Sequence, residues 1–146
     1  MLSILVPIDF SEVSKEVLQQ AAAHAKAFSA ELTLVHVAAP DPDFVGYEVG
    51  PKHVRENRAD ELRGEHRELQ AAADALREQG IEAKALLIQG PTVEMVLKEA
   101  KKLGADAIIL GSHGHGAVHR LLLGSVSEGV LRGAECPVLV IPDPRG

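Results

Sequence analysis

Short runs of consecutive apolar residues alternate along the chain with longer stretches in which apolar residues recur at every third or fourth position. The short runs are nearly continuous, which is typical of parallel strands that are buried under helices on both faces of a sheet. The longer stretches are typical of amphipathic helices. The short runs predict five strands, at residues 4–6, 32–37, 83–88, 107–110 and 137–141.

Four helices are predicted between these strands. The first contains an apolar repeat that begins at Val17, the second covers residues 53–79, the third follows Thr92, and the fourth includes residues 126–131. Strands that alternate with helices in this way predict a doubly wound α/β fold. We expect one such domain over residues 1–146, with a five-stranded parallel sheet and helices on both of its faces.

Polar residues and glycines mark the predicted helix ends. Ser11 and Thr92 stand where an N-cap is expected, and Ser125 begins an S-x-x-E capping-box pattern. Gly80 and Gly104 stand where the second and third helices should end.

The composition indicates what kind of core the protein has and which classes of partner are unfavourable. Apolar residues make up 46% of the 146 residues and aromatic residues only 3%, so the predicted core is aliphatic. The formal net charge of -6 disfavours nucleic acid and anionic membranes as partners, because both are negatively charged. An anionic ligand would need local help from amide groups, a helix end, a metal ion or an arginine.

The sequence also bears on the compartment. The only cysteine, Cys136, cannot form an intramolecular disulfide, which fits a reducing environment. The first apolar stretch lacks a basic leader and ends at Pro7, and no run approaches the roughly 20 residues of a membrane span. We therefore expect a cytoplasmic protein.

A long loop is predicted between the second strand and the second helix. Residues 39–52 are rich in Pro, Gly and Asp, which is typical of such a loop.

Glycine and histidine are concentrated in residues 111–129, GSHGHGAVHRLLLGSVSEG, directly after the fourth predicted strand. Glycine costs folding entropy, so the cluster needs a reason: a tight turn, a metal site or a backbone cradle for an anion. Ligands of doubly wound sheets lie at the carboxyl ends of the strands, where this segment begins. Gly124 and Ser125 also precede a predicted helix, whose first N–H groups and dipole favour phosphate.

Three better-known site patterns are not supported in this segment. A Walker A loop would have Ala117 in place of its lysine, and the dinucleotide pattern G-x-G-x-x-G would have His119 in place of its third glycine. A zinc site built from His113, His115 and His119 would need convergent geometry and usually a fourth ligand, and no Cys pair or E-x-x-H accompanies them. The sequence favours a backbone cradle.

The spacing that is present is G-x-x-G, nine further residues and then G-S, formed by Gly111, Gly114, Gly124 and Ser125. With this spacing the sequence resembles the universal stress protein family, specifically its ATP-binding branch. The resemblance covers essentially the whole chain, because the segments VPID, VHV, LLLGSVS and CPVLVI agree with the family in the same order.

This resemblance implies a strand order of 3-2-1-4-5, in which the loops after strands one and four flank one crevice. It assigns Asp9 to the ribose or to a phosphate-bound Mg²⁺, Val37 and Ile8 to the adenine, and backbone amides to the phosphates of ATP. It also implies a homodimer through the fifth strand, between Pro137 and Ile141. The implied nucleotide-binding residues are Pro7, Ile8, Asp9, Val37, Gly111, Ser112, Gly114, His115, Gly116, Gly124, Ser125, Val126 and Ser127.

One departure from the family lies inside the glycine-rich loop. Relatives often carry Arg or Lys near two positions that are His113 and His115 in this chain. A neutral imidazole offers one N–H donor and a charged one offers two, so phosphate affinity is expected to be weaker or pH-dependent. Arg120 compensates if it faces inward.

The leading hypothesis is therefore a small ATP-binding universal stress protein, regulatory or protective in stress, which acts on an unidentified downstream protein. The first alternative is a slow ATPase or phosphotransfer enzyme, although the sequence shows neither a placed lysine nor an arginine finger. The second alternative is a nucleotide-free interaction module of the same fold. Simpler roles also stay open: Asp9 and Ser125 as helix caps, His36 as a packed, hydrogen-bonded histidine, and Cys136 as a structural thiol.

Overall fold

The computed structural model describes residues 1–38, 52–112 and 123–143, with the backbone alone for residues 52–57. Five strands and four helices alternate in this part of the chain, as the apolar pattern predicts. In chain order they are β1 (Ser3–Pro7), α1 (Ser14–Phe28), β2 (Glu31–Ala38), α2 (Lys52–Glu78), β3 (Ala83–Gln89), α3 (Thr92–Leu103), β4 (Ala107–Gly111), α4 (Ser125–Gly133) and β5 (Val138–Ile141).

The five strands form one parallel sheet in the order β3-β2-β1-β4-β5, which confirms the predicted order. Strand β1 lies at the centre, where Ile4 pairs with Leu32 of β2 on one side and with Ala107 of β4 on the other. From β1 the chain builds outward through β2 and β3, and from β4 it builds in the opposite direction to β5. The carboxyl ends of β1 and β4 therefore bound the switch point at which such folds bind ligands.

Alternate residues of the strands pack into two separate aliphatic cores, one on each face of the sheet. Ile4 and Val6 of β1 pack with residues of α1 and α2 on one face, while Leu5 packs with residues of α3 and α4 on the other. Because side chains of a strand point alternately to opposite faces, a nearly continuous apolar run supplies both cores. Burying each Leu, Ile or Val side chain contributes about 1.5–3 kcal/mol, so these runs hold the sheet between its helices.

The helix starts differ from the predicted N-caps. Helix α1 begins at Ser14, so Ser11 lies before its first turn and accepts a hydrogen bond from the Ser14 amide through its backbone carbonyl (3.0 Å). Helix α3 begins at Thr92 itself, with Pro91 in extended conformation at the N-cap. Pro91 is the non-helical residue that precedes the helix, so Thr92 occupies the first helical position and not the N-cap.

The capping box predicted at Ser125 is also wrong. Gly124 is the N-cap of α4 and Ser125 is its first helical residue. The Glu128 side chain points instead to Arg132, one turn along the helix, at 2.7 Å. An ion pair with this spacing competes for the carboxylate that a capping box would need.

The predicted helix ends at two glycines are confirmed. Gly104 caps α3 with a left-handed backbone (φ 63°), and its amide donates to the carbonyl of Lys101. Gly80, after α2, has φ 82°. Glycine adopts such values without the clash of a Cβ atom, which is why it marks these ends in the sequence.

In the described ranges, each helix is too short or too polar to cross a membrane.

Candidate functional site

A cavity of about 450 Å³ lies at the carboxyl edge of the sheet, at the β1/β4 switch point. The ends of β1, β2 and β4 form its floor, and the first turns of α1, α3 and α4 form its walls. Cavities of several hundred Å³ at this place in a doubly wound fold are the usual sites for small ligands.

Most of the residues predicted to bind a ligand are brought together in this cavity. The members of that set that line it are Pro7, Ile8, Asp9, Val37, Gly111, Gly124, Ser125, Val126 and Ser127. Ser112 is buried beside the cavity without lining it. Gly114, His115 and Gly116 lie outside the described residues, as do His113, His119 and Arg120. Of the loop predicted at residues 39–52, residues 39–51 also lie outside them, and Lys52 is the first residue of α2.

Eight further residues line the cavity without having been predicted as site residues. Two signals could have found some of them, because Ser14 lies in the same short segment after β1 as Asp9, and Thr92 lies shortly after the end of β3. The others are mostly apolar residues whose direction depends on how the helices sit on the sheet. The eight are Val13, Ser14, Val17, Val35, His36, Thr92, Val96 and Leu110.

Asp9 enters the cavity from the loop that follows β1. Its Oδ1 atom accepts a hydrogen bond from the Ser11 amide at 2.9 Å and another from the Ser14 hydroxyl at 3.1 Å. The Asp9 side chain therefore stabilises the turn before α1, but it is not the helix cap that the simpler interpretation expected, because Val13 occupies the N-cap position without a side-chain bond. Asp9 is exposed, so the same bonds orient a carboxylate at the cavity wall.

The first residues of α4 also line the cavity. The first hydrogen bond of this helix joins the Glu128 amide to the Gly124 carbonyl at 3.0 Å. The amides of Ser125, Val126 and Ser127 precede that bond, and the first amides of a helix have no acceptor within it. Their N–H groups and the helix dipole create a positive potential at the cavity.

Ser127 holds this helix start against the end of β4. Its hydroxyl is buried and lies 2.6 Å from the Ser112 carbonyl and 3.0 Å from the Gly124 carbonyl. The Gly124 amide donates to the same Ser112 carbonyl at 2.8 Å. The Ser127 side chain thus connects α4 to the end of β4.

His36 has the packed, hydrogen-bonded environment that the sequence predicts for it. The residue is 9% exposed, and its ring nitrogen Nδ1 lies 2.7 Å from the Ile8 carbonyl oxygen. Its other ring nitrogen, Nε2, contacts the Glu65 carboxylate of α2. The sequence did not indicate that His36 also lines the cavity.

The Cys136 thiol also has a described environment. Burial, with a smaller contribution from the Asp106 carboxylate, raises the pKa of the Cys136 thiol above its ordinary value. A raised pKa fits the structural role expected of this thiol, because the thiolate is the reactive form. Over the described ranges, His, Cys, Asp and Glu side chains form no cluster of three that could hold a metal ion.

Comparisons with known proteins agree with this architecture. The family model described as "Universal stress protein family" matches residues 1–142. A universal stress protein of Thermus aquaticus is 38% identical over 143 residues, which span 95% of this chain and 97% of that protein.

Solved structures of the family superimpose on the described fold. The structure of protein MJ0577, which belongs to Methanocaldococcus jannaschii, matches with a TM-score of 0.86 at 28% identity and covers 99% of this chain and 97% of its own. A universal stress protein solved in complex with cAMP matches with a TM-score of 0.71 over 96% of both chains, and its 22% identity shows the fold alone. On the family match and the identity to its relatives, this chain belongs to the universal stress protein family.

Proposed function

We propose that this protein binds ATP in the cavity at the β1/β4 switch point and acts as a regulatory or protective protein in the stress response. The observation that carries the proposal is the start of α4, where the cavity is lined by three residues whose amides have no intrahelical acceptor. A phosphate chain is the ligand that such a helix start favours. The family name supports the role in stress.

The apolar part of the cavity suits a nucleobase. Val13, Val35, Val37 and Val96 contribute aliphatic side chains to the lining. A planar base buried against such side chains gains hydrophobic stabilisation, while polar groups at a few places fix its orientation. The volume of about 450 Å³ falls in the range of small-ligand sites.

Mg²⁺ is proposed as the companion of ATP. The cavity lining in the described residues includes the carboxylate of Asp9, which two hydrogen bonds orient. Magnesium in nucleotide sites is commonly held by one or two carboxylates together with phosphate oxygens and water, so Asp9 fits this role. The ion would neutralise part of the phosphate charge that the Asp9 carboxylate would otherwise repel.

The proposal also includes a homodimer and a cytoplasmic location. A homodimer through β5 would pair the edge of the sheet, and the nucleotide would bias the shape that a downstream protein recognises. A cytoplasmic location is consistent with the unpaired Cys136.

Replacing Ser125 by proline tests the phosphate contact. Proline is well tolerated at the first position of a helix, and Gly124 before it already has the extended backbone (φ -69°, ψ 164°) that proline requires of its neighbour. Ser125→Pro removes one N–H group and should weaken ATP binding about tenfold or more, because a hydrogen bond to a charged group contributes about 1.5–3 kcal/mol. Titration calorimetry with ATP and Mg²⁺ measures the change.

Ser125→Ala is the matched control, because it removes the hydroxyl and keeps the amide. We expect its affinity for ATP to stay within about threefold of the wild type, since the helix start and not the side chain binds the phosphates. Equal affinity of wild type and Ser125→Pro would contradict the phosphate assignment.

Two outcomes would favour the alternative functions. If acid extraction yields no adenine nucleotide and calorimetry detects no binding of ATP at several pH values, the protein is a nucleotide-free module of this fold. If single-turnover assays show fast hydrolysis that Asp9→Ala abolishes, it is an enzyme.

A further inference from the structure

His36 contacts the loop that carries Asp9 at two places. Its Nδ1 atom lies 2.7 Å from the carbonyl oxygen of Ile8, the residue before Asp9. Its ring also packs against the ring of Phe10, the residue after Asp9, with the centroids 4.6 Å apart and the planes at 45°. One buried side chain therefore contacts the residues on both sides of Asp9, the backbone of Ile8 and the ring of Phe10.

The geometry of the loop requires such support. Phe10 has φ 62°, a left-handed conformation that costs free energy for a residue with a bulky side chain. Strain of this kind persists where surrounding contacts hold it, and the His36 ring supplies one of them. Ile8 is held from the other side as well, because its amide donates to the Val35 carbonyl at 2.8 Å.

The protons on His36 follow from its partners. A carbonyl oxygen only accepts hydrogen bonds, so Nδ1 carries a proton and donates it to Ile8. The contact of Nε2 with the Glu65 carboxylate then needs a second proton, on either the imidazole or the carboxyl group. The Ile8 carbonyl thus fixes the proton on Nδ1, and the Glu65 carboxylate holds the ring from its other nitrogen, as carboxylates do for oriented histidines elsewhere.

We infer that His36 and Glu65 form a positioning pair that holds Asp9 in the geometry needed for the nucleotide. Glu65 belongs to α2, while Asp9 belongs to the loop between β1 and α1. His36 of β2 connects them across the sheet edge and lines the cavity itself. The inference rests on the proposed function, because it assigns a role to two residues toward the same ligand.

Three variants on α2 separate this role from a general effect of charge. Glu65→Ala removes the partner of Nε2 and should weaken ATP binding about fivefold to tenfold, in line with the loss of one hydrogen bond to a charged group. Glu65→Gln supplies an amide N–H that donates to the Nε2 atom of a neutral His36, so binding should stay within about twofold of the wild type. Glu68→Ala is the control, because Glu68 is an exposed glutamate of the same helix and its loss changes the net charge equally.

Hydrogen exchange in the nucleotide-free protein provides a readout that does not depend on ligand. The Ser11 amide donates to Asp9 and the Ile8 amide donates to Val35, so their exchange rates report the order of the loop. Both rates should rise at least about fivefold in Glu65→Ala and remain unchanged in Glu65→Gln and Glu68→Ala. NMR spectra of exchange into D₂O measure them.

The two readouts test the positioning pair and the proposed function separately. If the wild type fails to bind ATP, the proposed function fails, and the exchange rates still decide whether Glu65 orders the loop. Unchanged exchange and unchanged affinity in Glu65→Ala would overturn the inference. So would Glu65→Gln behaving like Glu65→Ala, because that result would assign the effect to the charge of Glu65 and not to its hydrogen bond with His36.

Discussion

Ser14 shows how a single hydroxyl can tune the proposed site. It is buried at the start of α1 and donates to Asp9 Oδ1 at 3.1 Å. Ser14→Ala should leave the Asp9 carboxylate with a broader range of orientations and lower the affinity for ATP with Mg²⁺ about fivefold. Calorimetry with and without Mg²⁺ measures the effect, and the loss should be larger with the ion present.

Ser11→Ala is the appropriate comparison for this prediction. Ser11 donates to the same Asp9 oxygen through its backbone amide, at 2.9 Å, and the substitution keeps that amide. We expect wild-type affinity for this variant. If both alanine variants bind ATP equally well, the Ser14 hydroxyl does not orient the carboxylate that meets the ligand.

The thiol of Cys136 should react slowly at neutral pH. Its pKa is raised, first by burial and then by the nearby Asp106 carboxylate, so less thiolate is present than in an ordinary cysteine at any given pH. The rate of alkylation by iodoacetamide should therefore rise at higher pH in the folded protein than in the protein unfolded by urea. A profile of the folded protein at or below that of the unfolded chain would contradict this expectation.

At the scale of the elements, two helices approach each other at a glycine. A Cβ atom added at Gly129 of α4 would lie 2.8 Å from Cγ2 and 3.0 Å from Cγ1 of Val93 in α3. Valine is stiff in a helix, so the helices must separate to admit the methyl group. Gly129→Ala should lower the free energy of unfolding by about 1–2 kcal/mol, the cost of overpacking less the gain in helix propensity.

Gly64 offers the same substitution without the contact. It lies in α2, and an added Cβ atom would meet no described atom within 4 Å. Gly64→Ala should therefore raise the free energy of unfolding by about 0.5–1 kcal/mol through helix propensity alone. Urea denaturation of the two variants compares them directly, and changes of the same sign would exclude the close approach as the cause.

The elements also show what the sequence could predict. Apolar runs and spacing placed every strand and helix of the described chain within a few residues, because burial on both faces of the sheet dictates the pattern. The N-caps at Thr92 and Ser125 were wrong, since Pro91 and Gly124 satisfy the turn with backbone geometry that a side-chain rule does not consider. A helix can begin with either a side-chain cap or a suitable backbone conformation, and the local sequence pattern does not distinguish the two.

The site was predictable only where a motif or a strand end marks it. Asp9, Gly111 and the start of α4 follow strands or belong to the glycine spacing, and all line the cavity. Val96 lines it because α3 packs across the sheet, and the contact of His36 with Glu65 joins distant segments. Such pairs depend on the tertiary arrangement, which periodicity in a single sequence does not encode.

For the molecule as a whole, the edge strand β5 predicts an association between two copies. Among the described residues it ends the sheet on one side, and Leu139 within it is 37% exposed. An apolar edge with unpaired backbone groups invites another strand, and a symmetric pair closes the edge. Leu139→Lys should convert a dimer to a monomer, because a charge on an edge strand opposes pairing. Light scattering coupled to size-exclusion chromatography measures the mass.

Leu2→Lys makes the same change at another exposed leucine, 43% exposed and outside the strands, and it should leave the dimer intact. If dimerisation and nucleotide binding are linked, ATP should shift the mass of a diluted wild type toward the dimer and leave Leu139→Lys monomeric. A wild-type protein that is monomeric at every concentration, with and without ATP, would show that β5 is protected in another way. A dimer that survives Leu139→Lys would move the interface to a different surface.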